Sequence, residues 1–171
     1  NEQLKPTPFN NAYVRLGEDF YARALPAPVA NPELIIFNHA LSNATGMADT
    51  CLATPDSAAI FAGNVVPAGA EPVAMAYSGH FNPHLGDGRA LLLGQIETPD
   101  GTLRDIHLKG TGQTRYSRNG DGRAALGPVL REYLVSEAMA KLGVPTTRAL
   151  AAVTTGEEVA REQLLPGGVI T

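Results

Sequence analysis

The chain has 171 residues, of which 44% are hydrophobic and 18% are charged, and its formal net charge is −4 at pH 7. This balance excludes a disordered chain and argues against a general binder of nucleic acids or of membrane surfaces. The 18 glycines and 13 prolines indicate many turns, more than a bundle of helices would tolerate.

Regular elements are sparse in the first part of the chain. Residues 34–37 form an apolar run that predicts a short strand, and residues 39–49 have a weak helical pattern. Asp56 is a candidate N-cap for a helix over residues 57–62. We therefore expect irregular chain with a few short elements in this region.

The middle of the chain predicts a β-hairpin. Residues 90–97 read as a strand, and the Thr-Pro-Asp-Gly sequence at 98–101 predicts a turn, because proline presets one backbone dihedral and glycine supplies a positive one. Residues 102–109 then alternate, with Ile106 and Lys109 on opposite faces. The second strand of the hairpin therefore ends in a lysine.

The remaining elements complete the prediction of the fold. A glycine-rich loop over residues 110–122 leads into a helix over residues 124–142, for which Gly143 is a candidate C-cap. Two strands, residues 149–153 and 159–165, flank a Thr-Gly-Glu turn and predict a second hairpin. This order of elements predicts an α+β fold in which one principal helix packs on an antiparallel sheet.

One pentapeptide, GDGRA, occurs twice, at residues 86–90 and 120–124. A strand follows the first copy and a helix follows the second, so the chain repeats loop chemistry and not a structural unit. Glycines expose backbone N–H groups, and arginine offers a planar set of donors that suits phosphate. Asp121 is a candidate to cap the following helix or to hold a metal. The alternative is that both copies are ordinary tight turns.

The second copy lies in a basic segment of an acidic chain. Between residues 109 and 123 there are four basic side chains and one acidic side chain, a local charge of +3. A basic, glycine-rich loop favours a polyphosphate site, and the alternative is a solvated, flexible loop. The basic residues are Lys109, Arg115, Arg118 and Arg123.

Lys109 needs a carboxylate partner if its ammonium group is to point at a ligand. A strand lysine paired with a helix glutamate is the arrangement by which kinases hold ATP phosphates. Glu132 and Glu137 are the two candidates, and at 100° per residue Glu137 falls on the apolar stripe of the helix. The helical wheel therefore favours Glu137 as the inward carboxylate, and the alternative is that both glutamates are surface charges of the helix.

The histidines and the cysteine give weaker signals. His80 and His84 are four residues apart, but a proline lies between them, so the metal-ligand spacing of a helix does not apply. His107 shares the face of Lys109, and Cys51 is interpreted as a small apolar side chain. A single cysteine also excludes an internal disulfide. We predict no metal site within this chain.

Three long motifs resemble the selenoprotein O family. They are the run LKGTGQTRYSRNGDGRA at residues 108–124, REYLVSEAM at 131–139 and GVPTTRAL at 143–150. The short sequences FNN at 9–11 and AMAYSGH at 74–80 agree with the same family. The resemblance covers nearly the whole chain.

The resemblance implies an enzyme with a protein-kinase-like fold. Members of the family bind ATP in a flipped orientation and transfer AMP, with Mg or Mn, to hydroxyl groups of proteins. In this chain Glu132 matches the glutamate that pairs with the strand lysine, which differs from the choice of the helical wheel. The positions that match nucleotide-binding residues of the family are Gly86, Gly88, Arg89, Lys109, Asp121 and Gly122.

The family pattern continues beyond Thr171. Its catalytic aspartate and its metal-binding asparagine and aspartate lie in a second lobe, so the resemblance makes residues 1–171 the N-terminal nucleotide-binding lobe. Residues 1–70 are then an extension, and residues 71–171 hold the hairpins, the glycine-rich loop and the helix. We expect this lobe alone to be catalytically inactive. The link between the GH and NP motifs near residue 81 is also shorter than in the family.

Two other functions remain open on the sequence. One is a conventional kinase, which transfers the γ-phosphate, and the other is a non-enzymatic module that binds a nucleotide or a partner. We expect protein substrates with hydroxyl side chains, no nucleic-acid partner and no membrane partner. The lobe alone is expected to self-associate through the face that a second lobe would cover. The expected compartment is the bacterial cytoplasm, or the mitochondrion for a eukaryotic protein.

Overall fold

The structure is a computed structural model that describes residues 6–48, 50, 52, 54, 56–79 and 82–171, with the backbone alone at residues 79 and 82–85. This part of the chain contains nine β-strands and three α-helices, besides a short 3₁₀-helix at Tyr13–Leu16. The strands are β1 Tyr21–Arg23, β2 Glu33–Phe37, β3 Val73–Gly79, β4 Asn82–Gly86, β5 Ala90–Glu97, β6 Leu103–Lys109, β7 Ala124–Ala125, β8 Ala151–Ala160 and β9 Leu164–Ile170. The helices are α1 His39–Ala44, α2 Ser57–Phe61 and α3 Leu126–Lys141.

The strands form one antiparallel sheet, which confirms the predicted α+β class. The order across the sheet is β1-β3-β5-β6-β9-β8-β2, and β4 and β7 pair with β3 and β9 beside this path. The predicted hairpin of β5 and β6 is present, with Ala90 opposite Lys109. Its turn is closed by a hydrogen bond from the Gly101 N–H to the Thr98 carbonyl (2.8 Å), and Gly101 has the expected positive φ of 78°.

The two faces of the sheet bury different groups. On one face, side chains of β5, β6, β8 and β9 pack with α2 and the N-terminal segment around Phe61, which is fully buried. On the other face, α3 packs Val129 and Tyr133 against β8 and β9. Because side chains alternate along a strand, Leu108 enters the first core and Lys109 lies on the face of α3.

The helix α3 is shorter than the apolar pattern predicts. Ala124 and Ala125 pair with Gly168 and Gly167 of β9, so this segment is extended and the helix begins at Leu126. The second GDGRA copy therefore runs into a strand, and Ala125, not Asp121, occupies the N-cap position. The C-terminus agrees with the prediction, since the N–H of Gly143 bonds to the Ala140 carbonyl at a φ of 78°.

The second hairpin has its turn in a different place from the prediction. The strand β8 continues through residues 155–157 to Ala160, and the chain reverses at residues 161–163. Thr154 pairs with Gly168 and Glu158 pairs with Pro166, so the register shifts between them and residues 155–157 form a bulge opposite β9. The sequence Thr-Gly-Glu is compatible with either a turn or a bulge. The pairing of β8 with β9 on both sides of it makes it a bulge.

Some predictions on the first part of the chain are also tested. The strand at residues 33–37 and the helix at 57–61 are present, and the helical pattern at 39–49 forms α1 over its first half. Asp56 occupies the N-cap position of α2 but its side chain makes no capping hydrogen bond. Cys51 and His80 lie outside the described residues. No helix in the described part of the chain is long and apolar enough to cross a membrane.

Candidate nucleotide site

Both GDGRA copies border the same cavity. The cavity has a volume of about 940 Å³, and Lys109 lies in its wall between the two glycine turns. The loop between Tyr116 and Arg123 forms one side, and the end of β8 forms another. The residues that line it are Tyr77, Gly86, Asp87, Gly88, Arg89, Ala90, Lys109, Tyr116, Ser117, Arg118, Asn119, Gly120, Asp121, Gly122, Arg123, Ala160 and Arg161.

The first copy is held by a buried carboxylate. Asp87 is 6% exposed, and its two oxygens accept hydrogen bonds from the Met75 N–H (3.1 Å) and the Tyr77 hydroxyl (3.0 Å). The Asp87 N–H in turn donates to the Met75 carbonyl (2.9 Å). The aspartate of this copy therefore fixes the turn against β3, while Arg89 beside it is exposed.

The aspartate of the second copy, Asp121, also holds its turn by hydrogen bonds, but its side-chain partner is Arg161. One oxygen of Asp121 accepts from the Arg123 N–H (2.9 Å), which closes the turn. Both oxygens accept from the guanidinium of Arg161, at 2.7 and 3.1 Å. The hydrogen bonds from Arg161 and the Arg123 N–H lower the pKa of Asp121, so this carboxylate stays ionised at neutral pH.

The glycine-rich loop connects the two turns. The hydroxyls of Thr114 and Ser117 donate to the carbonyls of Asp87 and Gly88 in the first copy. The Gly112 N–H donates to the Gly122 carbonyl (3.0 Å), and the Gln113 amide donates to the Gly120 carbonyl (2.7 Å). The loop therefore sets the position of one copy relative to the other.

Glycine is needed at these turns because the protein backbone passes very close. A Cβ atom at Gly86 would lie 2.1 Å from the Met75 carbonyl oxygen, and one at Gly88 would lie 2.9 Å from the Tyr116 carbonyl oxygen. Gly122 has a φ of 67°, and its Cβ would lie 1.9 Å from the Gly112 carbonyl oxygen. These glycines thus permit the packing that brings both turns to one cavity.

Lys109 is paired with Glu132. The Lys109 Nζ atom lies 2.7 Å from Glu132 Oε2, and the two side chains are 34% and 44% exposed. The pair links the end of β6 to α3 at the edge of the cavity. Lys109 and Glu132 also border a second, more apolar cavity of about 1270 Å³ that reaches His107 and Thr171. The ammonium group is therefore held in place and remains accessible from two sides.

Glu137 is the inward glutamate, as the helical wheel favours, but its partner is not Lys109. Its side chain is only 17% exposed and accepts two hydrogen bonds from Arg148, at 2.8 and 2.7 Å. Asn38 (2.8 Å) and the Ala149 N–H (3.0 Å) also donate to it. The hydrogen bonds from Arg148 are the main cause that lowers the pKa of Glu137 to about 2. This carboxylate joins α3 to the start of β8 and to α1.

We expect Glu137→Gln to destabilise the fold in a pH-dependent way. A carboxyl whose pKa falls from 4.5 to about 2 on folding stabilises the folded state above pH 4.5, and this stabilisation is lost as the pH falls towards 2. The expected loss is roughly 2–3 kcal/mol at pH 7. Equilibrium unfolding of both proteins at pH 7 and pH 3 measures it. A difference that does not shrink at pH 3 would contradict the assignment.

The cavity is basic. Five cationic and two acidic side chains line it, a net charge of +3, and both acids are already hydrogen-bonded within the protein. The side chains of Arg89 and Arg118 contact no acceptor among the residues that the structure describes. An anion in the cavity therefore meets free guanidinium groups and glycine turns, which suits a polyphosphate.

Arg123 of the second GDGRA copy has hydrogen-bond partners that Arg89 of the first copy lacks in the described part of the chain. Arg123 is held by the carbonyls of Ala27 (3.3 Å) and Pro28 (3.4 Å), and it lies 3.7 Å from Glu157. Identical pentapeptides thus present their arginines differently, because Arg123 is bonded to the carbonyls of residues 27 and 28, whereas Arg89 has no such partner among the described residues. Within the described residues, no group of three His, Cys, Asp or Glu side chains is placed to hold a metal ion.

The cavity also contains Arg161, which the sequence does not single out. Arg161 follows the last residue of β8, forty residues from its partner Asp121, and only the observed turn of the second hairpin brings it there. Tyr77 and Tyr116 pack beside the first copy. The signal that would have found Arg161 is a basic residue in a hairpin turn, which is too common to be specific.

Comparison with known proteins assigns the family. The sequence model of the family described as protein adenylyltransferase SelO matches residues 3–168. The chain therefore belongs to this family. Proteins named protein nucleotidyltransferase YdiU are 62% identical in Rhizobium meliloti strain 1021, 60% in Bradyrhizobium sp. strain ORS 278 and 58% in Anoxybacillus flavithermus. The matches cover 95–96% of this chain and 34–35% of each relative, so the chain spans about a third of their length.

Proposed function

We propose that this chain is the nucleotide-binding lobe of a protein adenylyltransferase, which transfers AMP from ATP to serine, threonine or tyrosine hydroxyls of other proteins. The observation that carries the proposal is one basic cavity lined by both GDGRA turns and by Lys109, whose ammonium group is paired with Glu132. The family assignment and the names of the relatives support nucleotidyl transfer.

The residues of the lobe would bind and orient the triphosphate. The ammonium of Lys109, held by Glu132, and the free guanidinium of Arg89 would neutralise phosphate oxygens. The glycine turns at Gly86, Gly88, Asp121 and Gly122 would let the chain approach the phosphates closely. Lys109, Arg89 and the residues of both turns all line the cavity.

Transfer of AMP requires attack by a hydroxyl oxygen on the α-phosphorus. The new bond joins that oxygen to the α-phosphorus, the bond to the oxygen that bridges the α- and β-phosphates breaks, and pyrophosphate leaves. The base that takes the hydroxyl proton and the ligands of Mg or Mn belong, in this proposal, to the part of the protein beyond Thr171.

The domain assignment follows from the same proposal. Residues 1–171 are one lobe, in which the segment before residue 71 packs on the sheet through Val29, Met47 and Phe61. Several apolar side chains of α3 and the segment after it are exposed, with Leu142 at 81%. We propose that a second lobe covers part of this surface, and that the lobe alone self-associates through it.

The decisive experiment is to incubate the full-length protein and a hydroxyl-bearing protein acceptor with ATP labelled at either the α- or the γ-phosphate. We expect protein-bound α-label without γ-label, because the bond to the α-phosphorus is the one that forms. Residues 1–171 alone should give no label, since the base lies outside them.

Two other results would replace the proposal. Label from the γ-phosphate alone would make the protein a kinase, a function that the Lys109–Glu132 pair also supports. No label from either phosphate, with ATP still bound, would favour a non-enzymatic nucleotide-binding module.

A further inference from the structure

Among the described residues that line the cavity, Arg161 is the cation whose side chain is bonded to a turn of the repeated motif. It makes two hydrogen bonds to the Asp121 carboxylate, a third to the Arg123 carbonyl (2.9 Å) and a fourth to the Ala160 carbonyl (2.6 Å). These contacts hold both ends of the segment 121–123. The paired geometry to the carboxylate requires the planar guanidinium, because an ammonium group cannot make both bonds in one plane.

The turn that Arg161 holds has unused backbone donors. The N–H groups of Asp121 and Gly122 donate to no acceptor among the described residues, although the Gly122 carbonyl is bonded to Gly112. The conformation with Gly122 at a φ of 67° is kept by the Asp121–Arg123 contact on one side and by Arg161 on the other. Free N–H groups at a glycine turn are typical of anion-binding loops.

The charge of Asp121 needs a counterion if the cavity is to take an anion. An unpaired carboxylate at this position would repel a phosphate, whereas the pair with Arg161 is neutral as a whole. The corresponding aspartate of the first copy accepts hydrogen bonds from the Tyr77 hydroxyl and the Met75 N–H and makes no ion pair among the described residues. The second copy therefore differs from the first in having a cationic partner for its aspartate.

We infer that Arg161 is a positioning residue of the nucleotide site, which neutralises Asp121 and holds the second glycine turn so that its backbone N–H groups can bind the polyphosphate of the ligand. The inference rests on the proposed function and adds a residue to it. In this assignment the Asp121 carboxylate faces Arg161, and residue 121 contributes to the ligand through its main chain.

The test is the affinity of the full-length protein for inorganic tripolyphosphate and for ATP, measured by titration calorimetry at fixed ionic strength. We expect Arg161→Gln to weaken the binding of both about tenfold or more, and Arg161→Lys to weaken it by a smaller factor of about three to five. Arg104→Gln is the matched control. Arg104 lies at the other end of β6, makes no ion pair among the described residues, and should leave affinity within about twofold.

A second variant separates positioning from a general loss of structure. Asn at position 121 can still accept from the Arg123 N–H but carries no charge, so Asp121→Asn should restore several-fold of the affinity lost in Arg161→Gln. A purely structural role would instead make the two losses add. Thermal unfolding of each variant is recorded beforehand, and Arg161→Lys carries the test if Arg161→Gln does not fold.

The outcomes distinguish the two levels of the proposal. If the unaltered protein and Arg161→Gln bind tripolyphosphate and ATP with equal affinity, the role of Arg161 is overturned and the nucleotide site stays in place. Additive losses in the double variant, or full affinity in Arg161→Lys, also overturn it, because neither the neutralised carboxylate nor the paired geometry is then needed. No binding of tripolyphosphate or ATP by the unaltered protein overturns the proposed function itself.

Discussion

Replacing Lys109 by alanine in the full-length protein is expected to abolish nucleotide-dependent labelling of protein acceptors, with a loss on the order of 10²-fold or more in rate. The substitution removes the ammonium group between the two glycine turns and leaves Glu132 without the partner that it has at 2.7 Å. The variant should lose affinity for ATP as well, because a cationic group is removed from the wall of the cavity. Label transfer and ATP titration measure both effects.

The control for this variant is Lys141→Ala. Lys141 is the last residue of α3 and borders neither cavity, so its loss should leave labelling unchanged. Lys109→Arg tests whether charge alone is sufficient, and partial activity is expected because the longer, planar group cannot keep the same contact with Glu132. Full activity in Lys109→Ala would remove Lys109 from the site and the main support for the proposed function.

Gly122→Ala is expected to be the most destabilising single substitution at the site. Its Cβ would lie 1.9 Å from the Gly112 carbonyl oxygen, in a backbone conformation with a φ of 67° that alanine rarely adopts. The backbone has to move, which breaks the hydrogen bond from the Gly112 N–H. We expect the free energy of unfolding to fall by about 2–4 kcal/mol, as measured by denaturant titration.

Gly101→Ala is the matched control for the steric part of this effect. Gly101 has a similar φ of 78° at the β5–β6 turn, but nothing lies within 4 Å of the position of its Cβ. The same substitution there should cost only about 1 kcal/mol, because the conformational penalty remains and the clash is absent. Equal losses at the two positions would show that the contact between residues 112 and 122 is not required.

The local elements of this protein follow from its sequence. The β5–β6 hairpin was predicted with its turn, because alternation and a Pro-Asp-Gly turn are properties of adjacent residues. The body and the C-terminus of α3 were predicted for the same reason. The sequence of the two GDGRA copies indicates loop chemistry that suits phosphate, and the cavity that both copies line is consistent with this interpretation.

The identity of the glutamate that pairs with Lys109 could not be predicted from the helical pattern alone. A helical wheel orders Glu132 and Glu137 by their burial, and in this it agrees with the structure. The wheel gives no information on Arg148, which lies after the helix in the chain and pairs with Glu137, the more buried of the two glutamates. The family resemblance, and not the wheel, indicated Glu132.

The strands around Lys109, the principal helix and the chemistry of the glycine-rich loop can be predicted from the sequence, since each depends on residues close to one another in the chain. Three features depend on the folded chain: β8 runs past residue 156, Arg123 bonds to the N-terminal segment, and Arg161 reaches Asp121. Each of these contacts joins segments that are dozens of residues apart or requires the pairing of whole strands. Their geometry is set by the packing of the sheet, which no local pattern of residues encodes.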